Sequence, residues 1–128
     1  MKKIKRVLPI ILSALLLTAC APGNSLGYKQ ITMSEAVKMM ETEKNYIILD
    51  VRRADEFAEG HIPGAINVPN EEIGTTDIAE LPNKSQLILV YCRSGRRSKE
   101  ASEKLVKLGY TNIVEFGGIL DWPGEIEK

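Results

Sequence analysis

The residues best suited to chemistry lie in one short segment, in which a single cysteine is followed by three arginines. Arg93 comes directly after Cys92, and Arg96 and Arg97 come directly after Gly95. Positive charge near a thiol favours the thiolate, which is the nucleophilic form of cysteine. A glycine permits a tight turn that aims successive backbone N–H groups at one point. The segment therefore predicts a reactive thiolate that handles an anionic substrate, and the alternative is a buried, inert cysteine.

The elements on either side of this segment predict where the cysteine lies. An apolar run at 87–91 is typical of a buried parallel strand, and 98–108 has the apolar spacing of a helix with Ser98 as its N-cap. In open α/β sheets, sites lie at the carboxyl ends of strands. The N–H groups at the start of a helix favour negative charge there. We therefore expect Cys92 at a strand–loop–helix junction that holds an anion.

Strand and helix patterns alternate along the rest of the chain. Further strands are predicted at 28–31, 46–50, 65–68 and 112–116. Helices are predicted directly after a capping box formed by Thr32 and Glu35, at 54–59 and at 71–81. Such alternation indicates one α/β domain with a mostly parallel sheet and helices on both faces.

Two polar residues outside the cysteine segment each have a catalytic and a structural interpretation. Asp50 ends a predicted strand, so it is either an acid or base beside Cys92 or a hydrogen-bond anchor paired with Arg52 or a loop arginine. We favour the anchor, because group transfer by a thiolate needs no carboxylate base. His61 is the only histidine, and we interpret it as a hydrogen-bonded turn residue rather than a catalytic one.

Composition and charge exclude several classes of function. The chain has 17 basic and 17 acidic residues, so it lacks the basic excess expected of a protein that binds nucleic acid. Its two cysteines and one histidine are too few for a structural zinc site. We therefore expect no metal, no other cofactor and no nucleic-acid partner, and we expect the domain to be a monomer.

The amino terminus has the features of a secretory signal. Four basic residues within 2–6 precede a short apolar stretch at 7–17, which is too short to favour a membrane span. The sequence Leu17-Thr18-Ala19-Cys20 resembles a bacterial lipobox, which implies a signal peptide at 1–19 and lipidation of Cys20. An ordinary signal peptide is the alternative. We expect a flexible tether at 20–27, a domain at 28–128, and a lipid anchor in the cell membrane on its extracytoplasmic face.

Four motifs resemble, in the same order, the signatures of single-domain rhodaneses, the thiosulfate sulfurtransferase family. They are Asp50-Val51-Arg52, the run at 59–69, the segment 92–98 with the sequence CRSGRRS, and Gly117-Gly118 followed by Trp122. The resemblance covers about residues 28–126, and four motifs together are far more specific than one. It implies the rhodanese fold, a mostly parallel sheet of about five strands with helices on both faces.

The resemblance also implies a role for each residue of the site. Cys92 is the implied catalytic nucleophile. Its loop is implied to bind the substrate through Arg93, Ser94, Gly95, Arg96 and Arg97. Supporting roles fall to Asp50, Arg52 and Ser98.

The expected reaction is a double displacement. The Cys92 thiolate attacks the outer sulfur of a small anionic donor such as thiosulfate, sulfite leaves, and a persulfide stays on Cys92 until a thiol or cyanide accepts the sulfur. One alternative is a persulfide carrier or a partner-binding module without turnover. A second is a cysteine-dependent phosphatase or arsenate reductase, but such loops resemble Cys-x5-Arg, and Ser98 stands where that arginine would be.

Overall fold

The computed structural model of the protein describes residues 26–128. Its strands are Lys29–Gln30 (β1), Tyr46–Asp50 (β2), Ile66–Asn67 (β3), Leu87–Cys92 (β4) and Ile113–Gly118 (β5). Its α-helices are Met33–Thr42 (α1), Ala54–Glu59 (α2) and Arg96–Lys107 (α3). Short 3₁₀ turns occur at Asn70–Glu72 and Ile119–Asp121.

The five strands form one parallel sheet in the order β1-β5-β4-β2-β3. This confirms the predicted α/β class and the mostly parallel sheet. Because all strands run the same way, their carboxyl ends lie along one edge, where sites of such folds are found. The order places β4 in the middle of the sheet, so the residue that ends β4 lies between the ends of β5 and β2.

Alternation along β4 divides the core into two clusters, one on each face of the sheet. Val90 and Cys92 belong to the cluster that also contains the α3 residues Ala101 and Leu105. Tyr91 belongs to the opposite cluster, which also contains apolar residues of α1 and α2. From Ile88 onward the side chains of β4 are buried on both faces, which is why its sequence is continuously apolar rather than alternating. Helices therefore cover both faces, as the sequence predicted.

The two longer helices begin in different ways. Helix α1 has the predicted capping box, in which the Thr32 hydroxyl accepts from the Glu35 N–H and the Glu35 carboxylate accepts from the Thr32 N–H. The prediction of Ser98 as the N-cap of α3 is wrong. That helix begins at Arg96 after Gly95, whose φ of 119° is a backbone conformation that favours glycine. The left-handed glycine turns the chain into the helix early, so Ser98 lies inside it.

One predicted helix is absent. The stretch predicted as helical at 71–81 contains only the end of the 3₁₀ turn Asn70–Glu72, followed by irregular backbone. Buried Ile73, Ile78 and Leu81 attach it to the core, so tertiary contacts rather than helix propensity decide its path. Within residues 26–128 there is no helix with the length and hydropathy that a bilayer span requires. The predicted signal peptide and Cys20 lie outside the described residues.

Candidate active site

The sulfur of Cys92 lies where β4 ends, and the following loop folds back over it. The N–H of Gly95 donates a hydrogen bond to Cys92 Sγ at 3.0 Å. The left-handed backbone of Gly95 gives this N–H its direction, which explains why a glycine occupies the position. The thiol in turn donates to Ser98 Oγ at 3.5 Å. A sulfur with a backbone donor aimed at it is suited to hold negative charge.

A cavity of about 440 Å³ opens at the loop of Cys92. Arginines outnumber carboxylates among its lining residues, which are Arg53, Asn70, Glu71, Cys92, Arg93, Ser94, Arg96, Arg97 and Glu100. The structure thus places Cys92 and the side chains of the predicted substrate-binding arginines around one opening. The sequence did not predict four of these residues. Arg53, Asn70 and Glu71 are far from the motif in sequence, and Glu100 is brought to the cavity by its ion pair with Arg96.

Arg97 is held by an ion pair that the sequence did not predict. Its guanidinium donates to both carboxylate oxygens of Glu56 in α2, at 2.7 and 3.2 Å. Both side chains are largely buried, with 19% and 15% of their areas exposed. The hydrogen bond from Arg97 lowers the pKa of Glu56 from 4.5 to about 2, although desolvation acts in the opposite direction. Since the guanidinium fork is occupied, Arg97 contributes shape and a fixed position to the cavity wall.

The other two loop arginines are less constrained. Arg96 pairs with Glu100 one helical turn later, at 3.0 Å, and its side chain is 75% exposed. Arg93 has no carboxylate partner among the residues that the structure describes. The Arg93 carbonyl instead meets β5 so closely that a Cβ atom at Gly118 would overlap it. This close approach explains the second glycine of the Gly117-Gly118 motif.

Asp50 and Arg52 form a closed structural unit apart from the cysteine. Asp50 pairs in register with Tyr91 and therefore lies on the opposite side of the sheet from Cys92. Its carboxylate accepts from the Arg52 backbone, from Nε and Nη2 of Arg52, and from the Tyr91 hydroxyl. Arg52 Nη2 also donates to the Gly60 carbonyl. These contacts favour the anchor interpretation of Asp50 over the catalytic one.

In the described part of the chain, the contacts of His61 do not include the cysteine. Its Nδ1 lies 2.9 Å from the Phe57 carbonyl, and its ring stacks on the Phe57 ring. The backbones of His61 and Glu127 exchange two hydrogen bonds that attach the carboxyl terminus to this turn. The contacts agree with a structural role for His61.

A buried carboxylate reaches the cysteine through Ser98. Glu115 Oε2 lies 2.5 Å from the Ser98 hydroxyl, and Glu115 is only 2% exposed. Sequence analysis missed it, although a lone acidic residue inside the apolar strand 113–116 was a usable signal. The predicted supporting residue Ser98 is thus in contact with the sulfur on one side and an acid on the other.

Comparison with known proteins gives a consistent result. The family described as Rhodanese-like domain matches residues 32–125. The thiosulfate sulfurtransferase PspE of Escherichia coli is 37% identical over 73 residues, which cover 57% of this chain and 70% of that protein. A sulfurtransferase of Allochromatium vinosum is 35% identical over 86 residues, covering 66% and 78%. The crystal structure of a rhodanese-like domain protein from Staphylococcus aureus has a TM-score of 0.67 and 33% identity, covering 77% and 96%.

Proposed function

Because this chain belongs to the Rhodanese-like domain family, whose relatives include sulfurtransferases, we propose that it moves sulfane sulfur through a persulfide on Cys92. The proposed donor is thiosulfate or a similar small anion, and the proposed acceptor is a thiol or cyanide. The observation that carries the proposal is the Gly95 N–H aimed at the Cys92 sulfur at 3.0 Å, beside a cavity lined by four arginines.

In the first half-reaction, the Cys92 thiolate attacks the outer sulfur of the donor. A bond forms between Cys92 Sγ and that sulfur, the donor's S–S bond breaks, and its electron pair leaves with sulfite. The cavity attracts the donor because exposed Arg93 and Arg96 carry charge that a carboxylate does not fully neutralise. The Gly95 N–H stabilises negative charge on the reacting sulfur.

In the second half-reaction, an acceptor thiolate or cyanide attacks the outer sulfur of the persulfide. The S–S bond to Cys92 breaks, and Cys92 Sγ leaves as a thiolate that the Gly95 N–H again stabilises. No external electron donor or acceptor is needed for this exchange, because each sulfur–sulfur bond that breaks is replaced by a bond from the acceptor to the same sulfur. Thiol–disulfide chemistry supports the order of events, because a stabilised thiolate is both a nucleophile and a leaving group.

Mass spectrometry of the purified full-length chain, before and after thiosulfate, tests the proposal. We expect the Cys92 peptide to gain the mass of one sulfur, and cyanide to remove it with release of thiocyanate. The matched control is Cys92→Ser, whose peptide should gain nothing. If several sulfane donors leave the wild-type Cys92 peptide unchanged, the proposal is wrong.

Turnover distinguishes the enzyme from a sulfur carrier. An enzyme releases many equivalents of thiocyanate per chain when thiosulfate and cyanide are both in excess, whereas a carrier whose persulfide only a protein partner can discharge takes up one sulfur and releases no thiocyanate. A phosphatase would instead hydrolyse an aryl phosphate. Ser98 at the place of the phosphate-binding arginine argues against that activity, since its hydroxyl is engaged with Glu115.

We also propose that a lipid on Cys20 anchors the domain to the outer surface of the cell membrane. The support is the basic and apolar amino terminus followed by the lipobox-like Leu17-Thr18-Ala19-Cys20. Labelled fatty acid supplied to a bacterial host should appear on the wild-type chain and be absent from Cys20→Ser. Cleaved but unlabelled wild-type protein in the medium would indicate an ordinary signal peptide.

A further inference from the structure

Glu115 is a buried acid that the proposed reaction does not use. Along β5, Ile113 lies in the cluster that contains Cys92, whereas Val114 and Phe116 lie in the opposite one. Alternation therefore turns Glu115 toward the Cys92 face and α3. A carboxylate in this position is costly unless hydrogen bonds satisfy it, and it receives them from Ser98 Oγ at 2.5 Å and the Gly117 N–H at 2.9 Å.

Ser98 connects this acid to the sulfur. Its hydroxyl accepts from the Cys92 thiol at 3.5 Å and has one proton of its own to donate. Three acceptors compete for that proton, namely Glu115 Oε2 at 2.5 Å, the Gly95 carbonyl at 2.9 Å and the Gly117 carbonyl at 3.4 Å. The carboxylate is the nearest and the charged one, so the bonds run in one direction, from thiol to hydroxyl to carboxylate.

This direction of hydrogen bonding stabilises the thiol form of Cys92 and disfavours the thiolate form. If Cys92 ionises while Glu115 stays ionised, Ser98 keeps donating to Glu115 and presents its lone pairs to a negative sulfur. Two anions on either side of one hydroxyl would also repel each other. If Glu115 holds the proton instead, the acid donates to Ser98 and the Ser98 hydroxyl donates to the sulfur. The same three groups then stabilise the thiolate.

We propose that Cys92 and Glu115 share one proton through Ser98, and that Glu115 is the positioning residue that holds this proton while Cys92 reacts. The thiol gives its proton to the Ser98 oxygen as the Ser98 hydroxyl gives its own to Glu115, so a thiolate and a carboxylic acid replace a thiol and a carboxylate. The net charge of the buried site does not change. The reverse transfer returns the proton to Cys92 when the sulfur has been handed on.

The inference rests on the proposed role of Cys92 as the nucleophile, but its test needs no sulfur donor. The rate of alkylation of the Cys92 peptide by iodoacetamide, followed by mass spectrometry on the full-length chain, measures the thiolate as a function of pH. Two groups that share a proton titrate in two steps that belong to the pair. We therefore expect a two-step rise in the wild-type profile, with a partial rate between the steps.

Glu115→Gln is the main variant, because it keeps the size and hydrogen-bonding capacity of the side chain and removes its charge. We expect a single step with a midpoint below the upper wild-type step, since the neighbouring anion is gone. Between that midpoint and the upper wild-type step, alkylation should therefore be faster than in the wild type. A purely structural Glu115 would leave the number of steps and the midpoint unchanged.

Other titratable or charged groups near the pair include Tyr28, Arg97 and Lys99, whose Nζ lies near Gly95. All three are unchanged in Glu115→Gln, so they do not account for a difference between the two profiles. Tyr28 directly precedes β1, and burial raises its pKa above 10.0, with charge from Glu103 and Glu115 raising it further. Arg97 acts on Cys92 by charge and stays protonated throughout. The matched control is therefore Glu103→Gln, an exposed acid of α3 whose variant should keep the two-step profile.

Ser98→Ala provides an independent variant in case Glu115→Gln unfolds. It removes the hydroxyl that stabilises the tautomer with ionised Cys92 and protonated Glu115, so we expect the lower step to disappear. The inference is overturned if wild type and Glu115→Gln give single steps with the same midpoint, or if Ser98→Ala retains both steps. If thiosulfate adds no sulfur but the two-step profile is present, the proposed function fails and the shared proton stands.

Discussion

The ends of two neighbouring strands, β2 and β4, have similar sequences but different surroundings. Each strand ends in a residue with an ionisable side chain, Asp50 or Cys92, and each is followed closely by an arginine, Arg52 or Arg93. At the end of β2 the carboxylate is surrounded by donors from Arg52 and Tyr91 and is fully buried. At the end of β4 the sulfur has one backbone donor and a cavity beside it.

The number of fixed hydrogen-bond donors distinguishes a structural polar group from one that is available to a substrate. The lone pairs of Asp50 are occupied by fixed donors within the protein, so a substrate has nothing to bind there. Cys92 is only 1% exposed but lines the cavity, and it contacts Ser98, which in turn contacts Glu115. We expect substitutions at the first strand end to change stability, and substitutions at the second to change chemistry.

The largest expected effect is at Cys92. Cys92→Ser should reduce thiocyanate formation to the uncatalysed level, because a serine hydroxyl is not ionised near neutral pH and is a poor nucleophile toward sulfur. Its thermal unfolding midpoint should stay close to that of the wild type, since the replacement is similar in size. Sulfur transfer by the variant would show that Cys92 is not the nucleophile.

Asp50→Ala tests the structural role of Asp50. It leaves the Arg52 guanidinium buried without its carboxylate and the Tyr91 hydroxyl without its acceptor. We expect a loss of about 3–5 kcal/mol in the free energy of unfolding, measured with urea. In the folded fraction, the alkylation rate of Cys92 should match that of the wild type. A changed alkylation rate with little loss of stability would make Asp50 part of the reactive site.

Glu56 tests whether a residue near the cavity also contributes to stability, because its ion pair with Arg97 joins the cavity wall to α2. The pKa of Glu56 falls from 4.5 to about 2 on folding, so the folded protein binds fewer protons than the unfolded chain between these values. The resulting stability is present above pH 4.5 and is lost as the pH falls toward about 2. Unfolding of Glu56→Gln, followed across this range, should lack that part of the pH dependence. An identical dependence would show that the pair contributes no net stability.

The smallest expected effect is at Arg96. Arg96→Ala should raise the KM for thiosulfate by less than about fivefold, because its side chain is 75% exposed and solvent screens its charge. Added salt should reduce the difference between variant and wild type. Lys107→Ala, at the far end of the same helix and outside the cavity lining, is the matched control and should leave KM unchanged. A large effect on kcat would instead place Arg96 in contact with the reacting atoms.

The regular elements were largely predictable, and the errors have physical causes. Strands β2 and β4 and the capping box of α1 follow from local composition and spacing. The predicted helix at 71–81 is wrong, because Ile73, Ile78 and Leu81 gain more from separate contacts with the core than from helical hydrogen bonds. The predicted cap at Ser98 is wrong, because its hydroxyl is engaged with Glu115 and the turn is made by Gly95.

The sequence by itself identified the residue that we propose as the nucleophile and the residues next to it in the chain. A cysteine between an apolar run and a helical pattern, with arginines and a glycine beside it, is a local feature that needs no knowledge of the fold. The tertiary structure alone decided which carboxylates meet that segment. Glu56 lies 41 residues before Arg97, and Glu115 lies 17 residues after Ser98. Their contacts depend on strand order and on the face to which each side chain turns, and both are set by packing across the whole sheet.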